Sequence, residues 1–371
     1  MLRKFKVSNF KSFENVFELD LTNTNNYEFS KSSIKNGIIN NAIIYGQNGV
    51  GKSNLAFAIF DIIQHLTDNE RNEKNYRNYL NAFSKEDLAH FYYEFIINSK
   101  VVIYEYKKLD YKTILFERFV IDGDELIFFD RINESKATVR LKGTETLKTE
   151  IDNNELSILK YVKNNSDLAV DEKNKTFLSF FAFIEKMLHF RSLTENMYQG
   201  TDVGSVDILE NIIDRNNVQD FEAFLNKAGI ECKLGITTER GRNTISMNFG
   251  SKQFPFIQFA STGTLALTLF YFWYQTIKEK QKVSFLFIDE FDAFYHHSLS
   301  ALIVEKIKET GVQFILTTHN TSIMTNDLLR PDCYFTMTKK QIRSFSKSTQ
   351  KELREAHNLE KMYKAGSFYV E

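Results

Sequence analysis

Apolar and polar positions alternate at the start of the chain. "FKVSNF" (5–10) and "VFELDL" (16–21) carry the period of two that half-buried strands show, and both are predicted as strands. A stretch rich in Asn, Ser and Thr, 22–35, breaks the pattern and reads as a loop. "IINNAIIYG" (38–46) is a short apolar run ending in Gly46, a buried strand running into a turn. The period then lengthens: "SNLAFAIFDIIQHL" (53–66) repeats apolar residues at helical spacing and predicts one helix. The charged, Asn-rich "NERNEKNYRNYLN" (69–81) reads as a solvated linker.

Period two returns in "FYYEFII", "VVIYEYKKL", "TILFERFVI" and "ELIFFDR", between 91 and 131, which predicts successive antiparallel strands. "DGDE" (122–125) is a hairpin turn between the last two. From 151 to 228 the texture is helical, in "ELSILKYVKNN", "TFLSFFAFIEKMLHF" and "SVDILENIIDRNNVQDFEAFLNKAG"; sustained heptads are absent, so no long coiled coil is predicted. Strands follow in "ECKLGITTE" and "TISMNFG". "FASTGTLALTLF" (259–270) then opens an apolar helix on two hydroxyls and a glycine. "VSFLFIDE" (283–290) and "VQFILTTH" (312–319) are buried strands with polar ends, separated by the helix "SLSALIVEKIKETG". Two short strands and the helix "KELREAHNLEKMYKAG" complete the chain. Apolar strands alternating with helices imply an α/β core with a largely parallel sheet. The inserted hairpins and helices add two lobes. The division expected is 1–150, 151–230 and 231–371.

Composition narrows the class. With 371 residues, 43% hydrophobic and 26% charged, the chain can bury a sizeable core as an ordinary soluble globular protein. The 35 Phe are most simply core and sheet material. A net charge of −1 excludes a strongly basic nucleic-acid binder but not a local patch, for which Arg3, Lys4, Lys6 and Lys11 are candidates; exposed basic residues on edge strands are more often solubilising. Two cysteines, Cys232 and Cys333, exclude a disulfide framework and a Cys-based zinc site and fit a reducing cytoplasm. "MLRKFKVSNF" lacks the apolar core of a signal peptide, and no run reaches membrane-span length.

Three features carry chemistry. "GQNGVGKS", Gly46 to Ser53, fits G-x-x-x-x-G-K-[ST] between a buried strand and a helix, the setting of a phosphate-binding loop rather than of a mere glycine-rich turn. Its glycines let backbone N–H groups curl around phosphates, and the helix N-terminus adds partial positive charge. Lys52 is expected on the β- and γ-phosphates and Ser53 on Mg²⁺. Gly46, Asn48, Gly49, Gly51 and Asn54 complete the nucleotide-binding set. Asp289, ending an apolar strand, is a candidate for holding Mg²⁺, and Glu290 for orienting or deprotonating the attacking water, although strands often end in polar residues. His319 ends the next strand, where ligands gather at the C-terminal edge of a parallel sheet, and is placed to sense a γ-phosphate. A lone His is usually structural. His296 and His297 point apart on a helix or loop and have no second ligand cluster, so a transition-metal site is not expected. Ser261 and Gly263 start a helix, which makes them an N-cap, an anion site, or both.

Phosphate loop, Ser-x-Gly at a helix start, Asp-Glu, then His: this order resembles ATP-binding-cassette (ABC-type) ATPases. Within that class the chain is similar to the soluble branch of SMC, RecF and OLD proteins, on "LRKFKVSNFKSFENVFELDL", on the 91–131 hairpins with "FERF", and on the ending "LEKMYKAGSF" of stand-alone ATPases from phage-defence loci. The resemblance implies an ATPase head with an inserted antiparallel β-lobe and a helical lobe, and ATP with Mg²⁺ as ligands. Asp289 becomes the Walker B acid, Glu290 the catalytic base and His319 the switch histidine. Ser261 and Gly263 become signature residues on the ATP of a partner subunit in a head-to-tail homodimer. Asp292 to His296 becomes the D-loop. "STGT" stands where transporter-like relatives have Ser-Gly-Gly-Gln, His296 stands where the D-loop has an Asp, and no Q-loop glutamine is identifiable, Gln64 lying too early. OLD nucleases continue into a Toprim domain. The chain after His319 is too short for one, so the resemblance implies a separate effector partner, with direct DNA binding of the repair and chromosome type as the alternative.

Overall fold

Among the described residues, two seven-stranded sheets enclose the helix that follows Gly51. The computed structural model describes residues 1–68, 73–191, 198–200, 207–239, 241–293 and 296–369. One sheet is antiparallel throughout. It joins the N-terminal strands Phe17–Asp20 and Leu2–Ser8 to Ala89–Ile97, Lys100–Lys108, Ile114–Ile121, Asp124–Asp130 and Thr138–Val139. The predicted hairpins are therefore continuous with the first strands of the chain. The turn at Asp122–Gly123 takes φ of 48° and 87°, the left-handed pair that a two-residue hairpin requires.

The second sheet runs Tyr198–Gly200, Met187–Arg191, Phe285–Asp289, Gln313–Thr317, Asn41–Tyr45, Tyr334–Met337, Ile342–Ser344. Its five central strands are parallel and its two edges antiparallel. The fold is mixed α/β, as expected. The strand ending at Thr317 lies between the strand that feeds the phosphate loop and the strand that ends at Asp289. Gln313 ties the two sheets together. Its Oε1 accepts from Leu2 N at 2.8 Å, and its Nε2 donates to Leu2 O and Ile39 O at 2.8 and 3.0 Å.

Four local expectations differ from the structure. The helix predicted over 53–66 stops at Phe60 and resumes for one turn at Ile63–Leu66. Asp61, at the break, accepts from Tyr106 and Lys108 of the antiparallel sheet and from Tyr79. The linker at 69–81 is not simply solvated: Tyr76 and Tyr79 are buried, because their rings close the space between this helix and the sheet, while residues 69–72 lie outside the described set. "MLHF", read as the end of a helix, is instead strand. The helix Glu172–Glu185 ends before it, and Met187–Arg191 joins the parallel sheet beside Phe285–Asp289. Continuous apolar runs of this length suit a buried parallel strand as well as a helix, and only the partner strand decides between them. The final helix is also shorter than predicted, Leu359–Lys364.

The helix Lys52–Phe60 is buried on most of its circumference because both sheets cover it. Tyr93 of the antiparallel sheet donates to Ala58 O at 2.9 Å, and Phe60 packs on His189 and Phe285 of the parallel sheet. That rigid seating is what points the phosphate loop at the C-terminal edge of the parallel strands. Before the acid strand, a three-stranded antiparallel sheet, Leu234–Glu239, Arg242–Phe249 and Lys252–Pro255, leads through a short turn of helix into the long helix Thr262–Ile277. No described helix is long and apolar enough to cross a membrane.

Candidate active site

The loop after Tyr45 is shaped by close backbone approach. A Cβ on Gly46 would meet Met337 O at 2.7 Å, and one on Gly51, at φ 105°, would meet Ser12 Oγ at 2.5 Å. Only glycine fits either place. Gln47, Asn48 and Gly49 form the exposed tip. Lys52 is 6% exposed and turns its ammonium back into the loop, donating to Gly46 O at 2.8 Å and Gln47 O at 3.2 Å. These carbonyls, with His319 Nε2 at 3.0 Å, occupy the donors that phosphate oxygens would take. Burial lowers the Lys52 pKa, and Asp289 and Glu290 oppose the shift. An ammonium has no lone pair, so the His319 nitrogen accepts and its proton belongs on Nδ1. Burial first, and Lys52 second, lower the His319 pKa, which keeps the imidazole neutral and able to accept.

Ser53 donates from Oγ to Asp289 Oδ2 at 2.6 Å. Strand order brings this pair together: the acid strand and the loop strand are separated by Gln313–Thr317, whose Thr317 hydroxyl donates to Asp289 Oδ1 at 2.7 Å. The same Thr317 Oγ1 accepts from Glu290 N at 2.7 Å. Glu290 has φ 49°, the left-handed region, a cost of order 1 kcal/mol for a residue with a Cβ. The bend turns its carboxylate toward Arg191, whose Nη2 is 2.7 Å and Nε 3.3 Å from Glu290 Oε2. Asp292 accepts from Thr318 Oγ1 at 2.6 Å and Ser300 Oγ at 2.8 Å, which ties the turn after the acids to the start of the next helix and to the His319 loop. Phe294 and Tyr295, within the expected D-loop, lie outside the described residues; His296 is exposed.

Lys52, Ser53, Asp289, Glu290 and His319 thus converge on one edge. Asn54 donates from Nδ2 to Ser12 Oγ at 2.9 Å, beside Gly51 of the loop. Ser261 and Gly263 start the helix Thr262–Ile277, with Ser261 exposed and capping it through Thr264 N at 3.1 Å. Thr264 also meets Ser261 Oγ through its own hydroxyl, at 2.9 Å, so the residue that departs from the signature pattern supports the cap. Gln64 is 2% exposed in the core and is not at the site. The four candidate basic residues do not form a free patch. Arg3, Lys4 and Lys6 pair with Glu94, Asp20 and Glu18 at 2.8, 3.1 and 3.0 Å, and Lys11 donates to Arg77 O. Sequence reasoning missed Arg191, Thr317 and Ser12. Arg191 was hidden by the helical reading of "MLHF", and Thr317 and Ser12 matter only through their neighbours.

The residues present suit a nucleotide and its metal. The loop is a cradle that Cβ atoms would fill, Lys52 is held by carbonyls it can exchange for anions, and a hydroxyl and a carboxylate oxygen meet at Ser53 and Asp289. Fold and site together define a P-loop α/β protein with an acid pair across one strand from the loop. The chain belongs to the family described as "AAA domain, putative AbiEii toxin, Type IV TA system", which matches residues 42–325. No curated protein matches. Solved structures similar to it include an SMC head bound to the C-winged helix domain of ScpA (16% identity, TM-score 0.45, 92% of this chain and 97% of that one). Another is the SMC head domain from Thermotoga maritima (16%, 0.41, 92% and 98%). A third is an Smc head domain with an extended coiled coil bound to the C-terminal domain of ScpA derived from Pyrococcus furiosus (14%, 0.46, 93% and 97%).

Proposed function

We propose that the chain is an ABC-type ATPase that binds and hydrolyses ATP and works as a nucleotide-gated, head-to-tail dimeric switch in anti-phage defence, acting through a separate effector protein in the cytoplasm. The observation that carries the ATPase reading is the convergence of Lys52, Ser53, Asp289, Glu290 and His319 at one sheet edge. Lys52 leaves the carbonyls of Gly46 and Gln47 for the β- and γ-phosphate oxygens. Ser53 and Asp289 would hold Mg²⁺, which when bound neutralises charge developing on the phosphates. Glu290 takes a proton from water as the water oxygen bonds to the γ-phosphorus and the bond to the β,γ-bridging oxygen breaks, releasing ADP and phosphate. His319, neutral and close to Lys52, is available to the γ-phosphate.

Two observations support the dimer. Ser261 is exposed and Gly263 half-buried at the start of their helix. Beside them Phe249, Ile257 and Phe259 are exposed by 55, 61 and 49%, an apolar surface of the kind that marks association. The family's description names a putative toxin and a Type IV TA system. The repair-type alternative draws no support from the N-terminal basic residues, three of which are paired to acids. Mixing decides the head-to-tail arrangement. Lys52→Ala and Ser261→Arg proteins, each inactive alone, should regain one working site together, because one interface then has both halves intact. Absence of ATPase recovery on mixing would refute the shared site, while ATPase in Lys52→Ala alone would refute the site itself.

A further inference from the structure

Arg191 ends the strand Met187–Arg191, which is the parallel neighbour of the acid strand on the side away from Thr317, with Arg191 directly opposite Asp289 in register. Its guanidinium reaches both acids. Nη2 and Nε lie 2.7 and 3.3 Å from Glu290 Oε2, and Nε lies 3.7 Å from Asp289 Oδ2. Asp289 Oδ2 is the same oxygen that accepts from Ser53. A guanidinium nitrogen and the hydroxyl expected on the metal therefore converge on one atom, and Arg191 stands at the phosphate end of the site, across the acid strand from Lys52 and His319. It holds the Glu290 oxygen that would otherwise receive the proton of water. The side chain is 43% exposed. Thr317 bonds the amide of Glu290, whose backbone is left-handed, independently of Arg191.

We propose that Arg191 is a γ-phosphate-responsive residue of this site: without a γ-phosphate it occupies Glu290 Oε2, and with one it transfers its guanidinium to the phosphate and frees Glu290 for water. An arginine fork binds phosphate and carboxylate oxygens in the same geometry, so the exchange replaces one charge-assisted pair by another. ATP is thereby distinguished from ADP, which has nothing to draw the guanidinium away. The proposal rests on the ATPase reading above.

The test is equilibrium binding of ADP and of a non-hydrolysable ATP analogue, with Mg²⁺, to wild type, Arg191→Ala and Arg191→Lys, alongside turnover. The γ-phosphate carries more charge than the carboxylate it replaces as partner, and without the guanidinium it faces an unpaired Glu290, so analogue binding in Arg191→Ala should be about tenfold or more weaker, with ADP binding within about twofold of wild type. Arg191→Lys, which keeps the charge without the fork, should fall between, and covers the case in which the alanine variant does not fold. Turnover should drop in both. Equal losses for the two nucleotides, or none for either, would overturn the exchange while leaving the ATPase reading intact. A wild type that binds neither nucleotide, like a Lys52→Ala control, would instead remove the underlying reading.

Discussion

Thr317 shows how much of the site rests on a residue without chemistry of its own. It is fully buried and donates to Asp289 Oδ1 while accepting from Glu290 N. One hydroxyl therefore fixes the rotamer of the metal-side acid and satisfies the amide of a residue held at φ 49°. Thr317→Val keeps the shape and removes both bonds, leaving a buried N–H and a carboxylate oxygen short of a partner. The expected cost is about 2–6 kcal/mol from two groups at roughly 1–3 kcal/mol each, read as a lower urea midpoint with an unchanged slope. Turnover should fall with it, because Glu290 is released from its strained turn. A midpoint within about 0.5 kcal/mol of wild type would show that the backbone holds Glu290 without Thr317.

At the scale of elements, the helix Thr262–Ile277 combines two roles at one end. Ser261 is an ordinary N-cap, accepting from Thr264 N. It is also exposed beside an apolar surface, where a partner's phosphate is proposed to sit. Substitution separates the roles. Ser261→Ala removes the cap and should destabilise the chain by about 1 kcal/mol. Ser261→Asp keeps a capping oxygen and should stay within about 0.5 kcal/mol of wild type, yet its carboxylate opposes an incoming phosphate, so ATP-dependent association should be lost. Sedimentation with and without ATP, beside thermal melts, reads both. Association surviving in Ser261→Asp would leave Ser261 a cap and nothing more. The helix after the phosphate loop gives the converse lesson. Its apolar spacing runs through to Leu66, but it breaks at Asp61 because that side chain has partners on another sheet.

Those partners define the joint of the whole molecule. Asp61 and Lys108 are both fully buried, 3.0 Å apart, with Tyr79 and Tyr106 each donating to the carboxylate at 2.9 Å. Nearby, Glu117 accepts from Tyr104, Ser157, Ile158 N and Arg131, joining the antiparallel sheet to the first helix of the helical segment. Each buried carboxylate accepts hydrogen bonds on both oxygens, which is what makes burying its charge tolerable. Lys108→Met would leave Asp61 uncompensated at the end of the phosphate-loop helix, at about 3–5 kcal/mol, whereas Lys108→Met with Asp61→Asn should recover part of that loss. Denaturant titration of both variants tests it, and equal losses in the single and double variants would mean the charges are not coupled.

The phosphate loop, the acid pair and the run that ends in His319 were legible in the chain because each is local: a spacing of glycines, or an apolar run closed by a polar residue, needs no partner to be recognised. The period-two hairpins were legible for the same reason. Only the tertiary structure decided that Met187–Arg191 is strand, that Arg191 faces both acids, that Thr317 bridges them, and that Asp61 interrupts a helix. Each of these depends on which strand lies beside which, and hydrogen bonds and ion pairs between residues about a hundred positions apart, as between Arg191 and Glu290, leave no period in the sequence. Burial of charge follows the same rule: Lys108 and Asp61 sit in segments whose patterns say strand and helix, and only the packing of sheet on helix brings the two charges together in the core.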